Sequence, residues 1–409
     1  MSKERKINLL IISSYYPPTI SIASNRILAL SKYLDADKFQ ITVLTFGSKN
    51  SNYEQPKGVQ VIRIANTGLF HRLSFTKRQP FIIHKLKALY NTVLGVFVVD
   101  EWHAWRKASF KYIKKNYNKE DFDFVISSFA PVASHLLALQ LKKNGYSFQW
   151  IADMRDEMSN NLSLSHQQRE KFRDIEKEIF KNAQAVSSAT LSVNNSFKKA
   201  SSAQNITCFE MKNGFDFSLP EKIQRNTIFT ISSVGTFYGK QKPDLFLHAV
   251  ASLIEEQKID DVFIRFVGVT IPISVPTILQ NKTKIITKVD HDKAIEFMQK
   301  SDANLLILSP DYAGAVPGKT YEYMASLKPI IAMFNSKGNS QLIDILQKSN
   351  LSYISEFADI ETLKQNILTV YKNWETKTIN KADISHINQF HRKKQIKIME
   401  EYILQNANG

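Results

Sequence analysis

The stretch ANLLILSPDYAGAVPGKTYEYMASLKPIIAMF, residues 303–334, reads as strand, loop, helix and strand in succession. Its opening run ANLLIL and its closing run IIAMF are almost continuously apolar and too short for helices, which is the pattern of strands buried on both faces. Between them Pro317 and Gly318 stand where a helix starts, and the good helix formers of TYEYMA follow. Strands alternating with helices call for a parallel sheet with helices on both faces.

The same rhythm runs through the chain. INLLIIS (7–13), QITVLTF (40–46), VQVIRIA (59–65), FDFVISS (122–128) and FQWIA (148–152) read as strands in the first half. IFTISSV (228–234), VFIRFV (262–267), KIITK (284–288) and ANLLIL repeat the pattern in the second. Helical periodicity lies between several of them, as in Asn25 to Leu34, where Ile27, Leu28, Leu30 and Leu34 share a face. The join falls in the turn-rich KNGFDFSLP, Lys212 to Pro220. The expectation is an α/β chain of two Rossmann-like, doubly wound parallel-sheet domains facing each other across a cleft. The first covers 1–212, the second 213–385, and a helix at 386–409 returns to the first. In such sheets ligands bind beyond the carboxyl ends of the strands, so function belongs in those loops.

Composition narrows the class. With 409 residues, 43% hydrophobic and 22% charged, the chain suits two ordinary globular domains. The longest apolar candidate, VLGVFVV at 93–99, is too short to cross a bilayer as a helix. MSKERKINLLIIS resembles a signal peptide only briefly, because it runs into Ser13, Ser14, Tyr15, Tyr16, Pro17 and Pro18 without a cleavage site. The single cysteine, Cys208, excludes an internal disulfide and a cysteine metal cluster, and a cytoplasmic protein is expected. A formal charge of +16 favours an anionic partner without choosing among nucleic acid, membrane and phosphorylated substrate.

The start of the 318 helix carries chemistry. A helix N-terminus offers unpaired N–H groups and partial positive charge, so phosphate binds there readily, and Lys319 adds a full charge. Glu322, one turn on, suits bidentate hydrogen bonding to the two hydroxyls of a ribose. Two other readings stay open. Ala313-x4-Gly318-Lys319-Thr320 fits a loose Walker loop, although Pro317 lacks an amide the phosphate cradle uses. The segment also reads as a plain helix start packed in the core.

These residues, taken in order, resemble the retaining nucleotide-sugar glycosyltransferases of the two-Rossmann-domain (GT-B) type, in particular glycosyltransferase family 4. The likeness runs over most of the chain: LLIISSYYPP (9–18) followed by SNRILALSKYL, ISSFAPVASH with His135, WIADMRDE with Asp153, Arg155 and Asp156, NGFD at 213–216, SVGTFYGKQKP at 233–243, and Pro317 to Pro329. The resemblance implies a nucleotide-sugar donor, UDP- or GDP-linked, held by Gly235, Lys240, Lys242, Gly318, Lys319, Thr320 and Glu322. It implies catalytic roles for His135 and Lys242, and acceptor contact by Arg26, Asp153, Arg155 and Asp156. Cationic side chains and helix amides would stabilise the departing diphosphate, so neither metal nor cofactor is implied. Without the likeness, His135 reads as a satisfied core histidine, and the Asp153–Arg155–Asp156 group equally as an ion-pair knot.

Three departures accompany the match. Gly314 stands where the family has a second glutamate beside the donor sugar, Thr236 where related members have arginine, and Ser21 to Ser24 where a glycine pair is common. They fit an unusual donor sugar, or a subunit that binds without turnover. Basic and aromatic residues crowd together between 71 and 119. Their bland reading is an apolar face on the sheet beneath a solvated basic face; the sharper one is a peripheral surface for anionic membrane. No nucleic-acid recognition module is present. The expected product is a bacterial surface polysaccharide or its lipid-linked precursor, with the acceptor a glycan or lipid-linked glycan.

Overall fold

The computed structural model describes residues 5–19, 21–55, 58–67, 102–160, 164–237, 241–287, 289–310, 313–378 and 380–407. The chain divides into two compact units, residues 1–212 with 396–409, and residues 213–395.

In the first unit the strands are β1 (Ile7–Ile12), β2 (Phe39–Gly47), β3 (Ser51–Gln55), β4 (Val59–Ala65), β5 (Phe124–Ser128), β6 (Gln149–Arg155), β7 (Ala185–Ser188) and β8 (Thr207–Glu210). They form one sheet in the order β3-β4-β2-β1-β5-β6-β7-β8. Every pairing is parallel except that of β3 with β4. The described helices are α1 (Ile22–Tyr33), α2 (His103–Asn116), α3 (Ala133–Lys143), α4 (His166–Asn182) and α5 (Leu191–Ala200). Alternation along β1 shows why both faces are covered. Leu9 and Ile11 pack with Ile27 and Leu30 of α1, whereas Leu10 and Ile12 share a core with Trp105, Leu137 and Ala138 from α2 and α3. The last helix of the chain, Arg392–Asn406, places Ile396, Met399 and Ile403 in the same core as Leu9.

In the second unit β9 (Phe229–Val234), β10 (Val262–Val267), β11 (Thr283–Ile286), β12 (Ala303–Ile307), β13 (Ile330–Met333) and β14 (Ser352–Ser355) form a wholly parallel sheet. Its order is β11-β10-β9-β12-β13-β14. Helices α6 (Asp244–Glu255), α7 (His291–Gln299), α8 (Gly318–Ala325), α9 (Ser340–Lys348), α10 (Ile360–Glu375) and α11 (Ile384–Asn388) follow its strands in turn. The expected architecture of two doubly wound α/β sheets is therefore present. Four strands go beyond the sequence expectation: β3, β7, β8 and β14. Each is only four or five residues long, and SNYEQ, TCFE and SYIS lack a continuous apolar run.

The aromatic half of the membrane-surface expectation is corrected at α2. Trp102 is 3% exposed, and Trp105 and Ile113 are fully buried. Trp102 meets Phe46, Tyr15 and Trp105 edge-on at 5.3, 5.8 and 6.2 Å between ring centroids. These rings are committed to the core, and Lys107, Lys111, Lys114 and Lys115 form the solvated face of the same helix. The part of that region at 68–101 lies outside the described residues. Among the described residues no helix is long and apolar enough to cross a membrane.

Candidate functional site

In the second unit the carboxyl ends of β9 and β12 are adjacent in the sheet, and the loops leaving them converge. β9 is followed by Gly235, whose φ of 109° is a backbone that a side chain rarely adopts. Its N–H is held by the carbonyl of Val267 at 2.8 Å. Opposite it Gly268, at φ 82°, brings backbone against backbone: a Cβ there would sit 3.5 Å from the Gly235 Cα. Thr236 donates its hydroxyl to the carbonyl of Gly268 at 3.0 Å. Thr236 thus ties the loop after β9 to the loop after β10.

Helix α8 starts against this loop. Its N-cap, Pro317, offers no side-chain cap, and no acidic residue stands in its first turn. The Tyr323 hydroxyl anchors the helix to the strand end, accepting from the Val234 N–H at 2.8 Å and donating to its carbonyl at 3.3 Å. Lys319 lies along Gly235, its Cδ 4.0 Å from where a Cβ on that glycine would be, with Nζ 6.0 Å from the centre of the Phe237 ring. That Nζ is buried and has no hydrogen-bond partner among the described residues. Burial pushes its pKa down to about 8. The Thr320 hydroxyl is likewise buried and unpartnered among them. A helix start without a side-chain cap, a permissive glycine and a buried cation make an arrangement that can accept an anionic oxygen.

One turn along α8, the Glu322 side chain is 12% exposed, with Oε1 3.7 Å from His291 Nε2 at the start of α7. Burial raises its pKa, and the charges of His291 and Arg392 pull the other way. His291 was not singled out in the sequence, where it carries no motif. Gly314 is at φ 75°, and its N–H donates to Asn339 Oδ1 at 3.0 Å. A glutamate at this position would occupy backbone that favours glycine, so the departure is conformational as well as chemical. Lys242 is exposed, just before the Pro243 cap of α6. Lys240 lies outside the described residues.

In the first unit the expected acceptor residues gather at the ends of β5 and β6. Asp153 is fully buried and takes a bidentate pair from Arg26, Nη2 to Oδ1 at 2.8 Å and Nε to Oδ2 at 2.9 Å. Ser187 donates to Oδ1 at 2.7 Å and Ser128 to Oδ2 at 2.9 Å. Arg26 spends Nη1 on the carbonyls of Met211 and Lys212, at 2.9 and 3.4 Å. Burial alone would raise the Asp153 pKa, but the charge and hydrogen bonds of Arg26, with the charge of Arg155, hold it below the usual range. Arg26 and Asp153 thus satisfy each other. The serines that complete the knot carried no sequence signal beyond the Ser-Ser strand ends.

Arg155 follows at φ 63°, and Asp156 after it is exposed. His135 is fully buried on α3. Its Nδ1 is 2.7 Å from Ser127 Oγ, which also accepts from Trp150 Nε1 at 2.8 Å, and its ring lies parallel to Phe129. Burial lowers its pKa to about 4, partly countered by Asp153, so the ring is neutral at physiological pH. His135 Nε2 has no partner among the described residues.

No family model matches the sequence. No curated protein matches it either. Solved structures do match over essentially the whole chain. An alpha,alpha-trehalose-phosphate synthase (UDP-forming) from Burkholderia xenovorans, in complex with glucose-6-phosphate, superimposes with a TM-score of 0.64 at 8% identity, over 98% of this chain and 100% of that one. A glycosyltransferase from Rickettsia africae gives 0.60 at 15% identity, over 98% and 99%. Anabaena HepE in complex with UDP-glucose gives 0.58 at 12% identity, over 98% and 100%. At such identities the likeness establishes a shared fold, the GT-B arrangement of these glycosyltransferases.

Proposed function

We propose that this protein is a glycosyltransferase that moves a sugar from a UDP- or GDP-linked donor, held by the second unit, to a glycan or lipid-linked acceptor held by the first. The observation that carries the reading is the Lys319 Nζ, buried beside Gly235 at the uncapped start of α8 and without a hydrogen-bond partner among the described residues. A buried ammonium without a partner is costly, and a diphosphate is the ligand that removes the cost. Glu322 takes the ribose hydroxyls one turn away, and Lys242, between β9 and α6, supplies a second cation for the same phosphates.

The transfer proceeds with retention. The bond between the anomeric carbon and the diphosphate oxygen breaks, and its electron pair leaves with the diphosphate. The acceptor oxygen bonds on the same face, and its proton passes to the leaving diphosphate. Lys319 and the α8 amides stabilise the charge that grows on the leaving group, the part a divalent cation plays in other sites. His135, neutral and buried, offers one hydrogen bond through Nε2 and no charge. Gly314 leaves the sugar-facing wall without the family's carboxylate, which points to a donor other than the family's usual hexoses. Such donors place the reaction in the cytoplasm, at the inner membrane face where the acceptor is lipid-linked, with surface polysaccharide as the product.

Calorimetric titration with UDP, GDP and ATP, each in EDTA and again with magnesium, tests the donor site. UDP or GDP should bind, with at least tenfold loss in Glu322→Ala. Binding of ATP alone, and only with magnesium, would sink the proposal in favour of a P-loop enzyme. Release of nucleoside diphosphate from a panel of nucleotide sugars then separates an enzyme from a subunit that only binds.

A further inference from the structure

The second unit carries a cavity at the opposite end of its sheet from Gly235, where the chain enters β12 after Asp302 and β13 after Lys328 and Pro329. Its volume is about 60 Å³. Ile223, Leu327, Pro329 and Val370 supply apolar walls, and Trp374 lines it as well. Leu327 holds φ 57°, a region where leucine is rarely found, and this turn after α8 places both Leu327 and Lys328 on the cavity.

Two cations, Lys328 and Arg225, line the same space. Lys328 is 2% exposed, and its ammonium donates to the Gln224 carbonyl. Burial pushes its pKa down to about 8, against the charge of Asp302 and with that of Arg225. Arg225 is exposed and lies over the Trp374 ring, its guanidinium carbon 5.6 Å from the centroid, so stacking holds a charged fork at the rim. Asp302 is the one carboxylate in the lining, and its oxygens are spent elsewhere. Oδ1 accepts from the Asn226 N–H at 3.1 Å, and Oδ2 from Asn226 Nδ2 and the Thr230 N–H, both at 2.9 Å. It reaches Lys328 through its charge alone, and that charge is shared with Arg265.

We propose that this cavity binds a small organic monocarboxylate, with the carboxylate between Arg225 and Lys328 and its few carbons against the apolar walls. Two positive charges against one negative match a monoanion better than a phosphate dianion, and a guanidinium fork beside an ammonium suits a carboxylate. Apolar walls with a few placed polar groups are the usual make-up of a small-molecule site. At roughly 10–15 Å³ for each water-sized group, the space takes about four to six non-hydrogen atoms, the range from acetate to butyrate. The inference does not depend on the donor reading, because the two sites stand at opposite ends of the strands.

The test uses the full-length chain labelled with fluorotryptophan. Its four tryptophans give four fluorine resonances, and Trp374→Phe identifies the one at the cavity. Butyrate should shift that resonance saturably and leave those of Trp102, Trp105 and Trp150 in place. A Kd of about 1–10 mM is what a ligand of this size can reach. Butanol, which keeps the carbons, and methyl phosphate, mostly a dianion at neutral pH, should each bind at least tenfold more weakly. Arg225→Gln should weaken butyrate at least tenfold, and because the side chain is exposed its melting temperature should stay within a few degrees. Lys328→Met should weaken butyrate likewise; if losing the bond to the Gln224 carbonyl unfolds it, Arg225→Gln decides alone. No saturable shift up to about 100 mM butyrate would overturn the proposal. So would equal affinity in Arg225→Gln, an equal response to butanol, which would make the cavity merely apolar, or tighter binding of methyl phosphate.

Discussion

Replacing Lys319 by methionine should make the free protein more stable and the nucleotide complex weaker. Methionine keeps the stem that lies along Gly235 and deletes the buried ammonium. Burial lowers the Lys319 pKa to about 8 from the ordinary lysine value of 10.5. The folded state therefore disfavours the charge, and the sign is opposite to that of a lysine gaining a partner. Below pH 8 the full penalty is present, and it is relieved as pH rises from about 8 towards 10.5. Two and a half pKa steps at about 1.4 kcal/mol each put that penalty on the order of 3 kcal/mol at pH 7. The variant should gain up to that amount, several degrees of melting temperature for a domain of this size. Nucleotide binding should show the reverse. A charge-assisted hydrogen bond contributes about 1.5–3 kcal/mol, so UDP affinity should fall roughly 10- to 150-fold. In the wild type only the protonated lysine binds diphosphate well. Affinity should hold up to pH 8 and drop about tenfold by pH 9, where roughly a tenth of the free protein carries the proton. In the variant this pH dependence should disappear. Thermal melts and UDP titrations between pH 7 and 9.5 measure both halves. A variant that is less stable and binds UDP as the wild type does would refute the reasoning.

Two further outcomes follow from the first unit. Asp153→Asn leaves Arg26 buried without its counter-charge and should cost about 3–5 kcal/mol in urea unfolding. Because the Asp153 carboxyl is held below its ordinary range, its contribution is present above the unfolded pKa near 4 and lost as pH falls through the folded value, which urea midpoints at acid pH would reveal. Trp105→Ala should cost about 3–5 kcal/mol, while Lys111→Glu and Lys114→Glu leave the melting temperature within a degree, because the tryptophan is in the core and the lysines are in water.

What the sequence reveals follows from where the physics is local. A strand buried on both faces is rich in apolar residues, so β1 and β12 stand out as runs. The outer strands β3 and β14 are half in water and short, so their composition resembles that of loops. Helix α1 starts at Ile22, capped by Ser21, whose side chain accepts from the Ser24 N–H, three residues before the Asn25 start that the apolar periodicity suggests. A cap is a single hydrogen bond and leaves little periodicity to read. The tryptophans of α2 are ambiguous for a different reason. An aromatic stripe beside lysines looks the same whether it meets a sheet or a lipid, and only the packing of Trp102 against Phe46 and Tyr15 decides.

The site divides along a line that residue type cannot draw. Arg26, Arg155 and Lys319 are all cations in motif positions, and in sequence each is an equal candidate for ligand contact. Arg26 has Asp153 and two carbonyls around it, so a ligand could reach it only by breaking a satisfied buried pair. Among the described residues Arg155 bonds one carbonyl with no acceptor at Nε, beside the charges of Asp156 and Asp153, and Lys319 has no hydrogen-bond partner. Native proteins rarely leave buried donors unsatisfied, so the satisfied Arg26 supports the scaffold, whereas Lys319 is the cation to which the proposed function assigns the diphosphate. The partners that settle this, Ser128, Ser187 and the carbonyl of Met211, come from strand ends and loops far apart in the chain. Their convergence belongs to the sheet order, which no local pattern records.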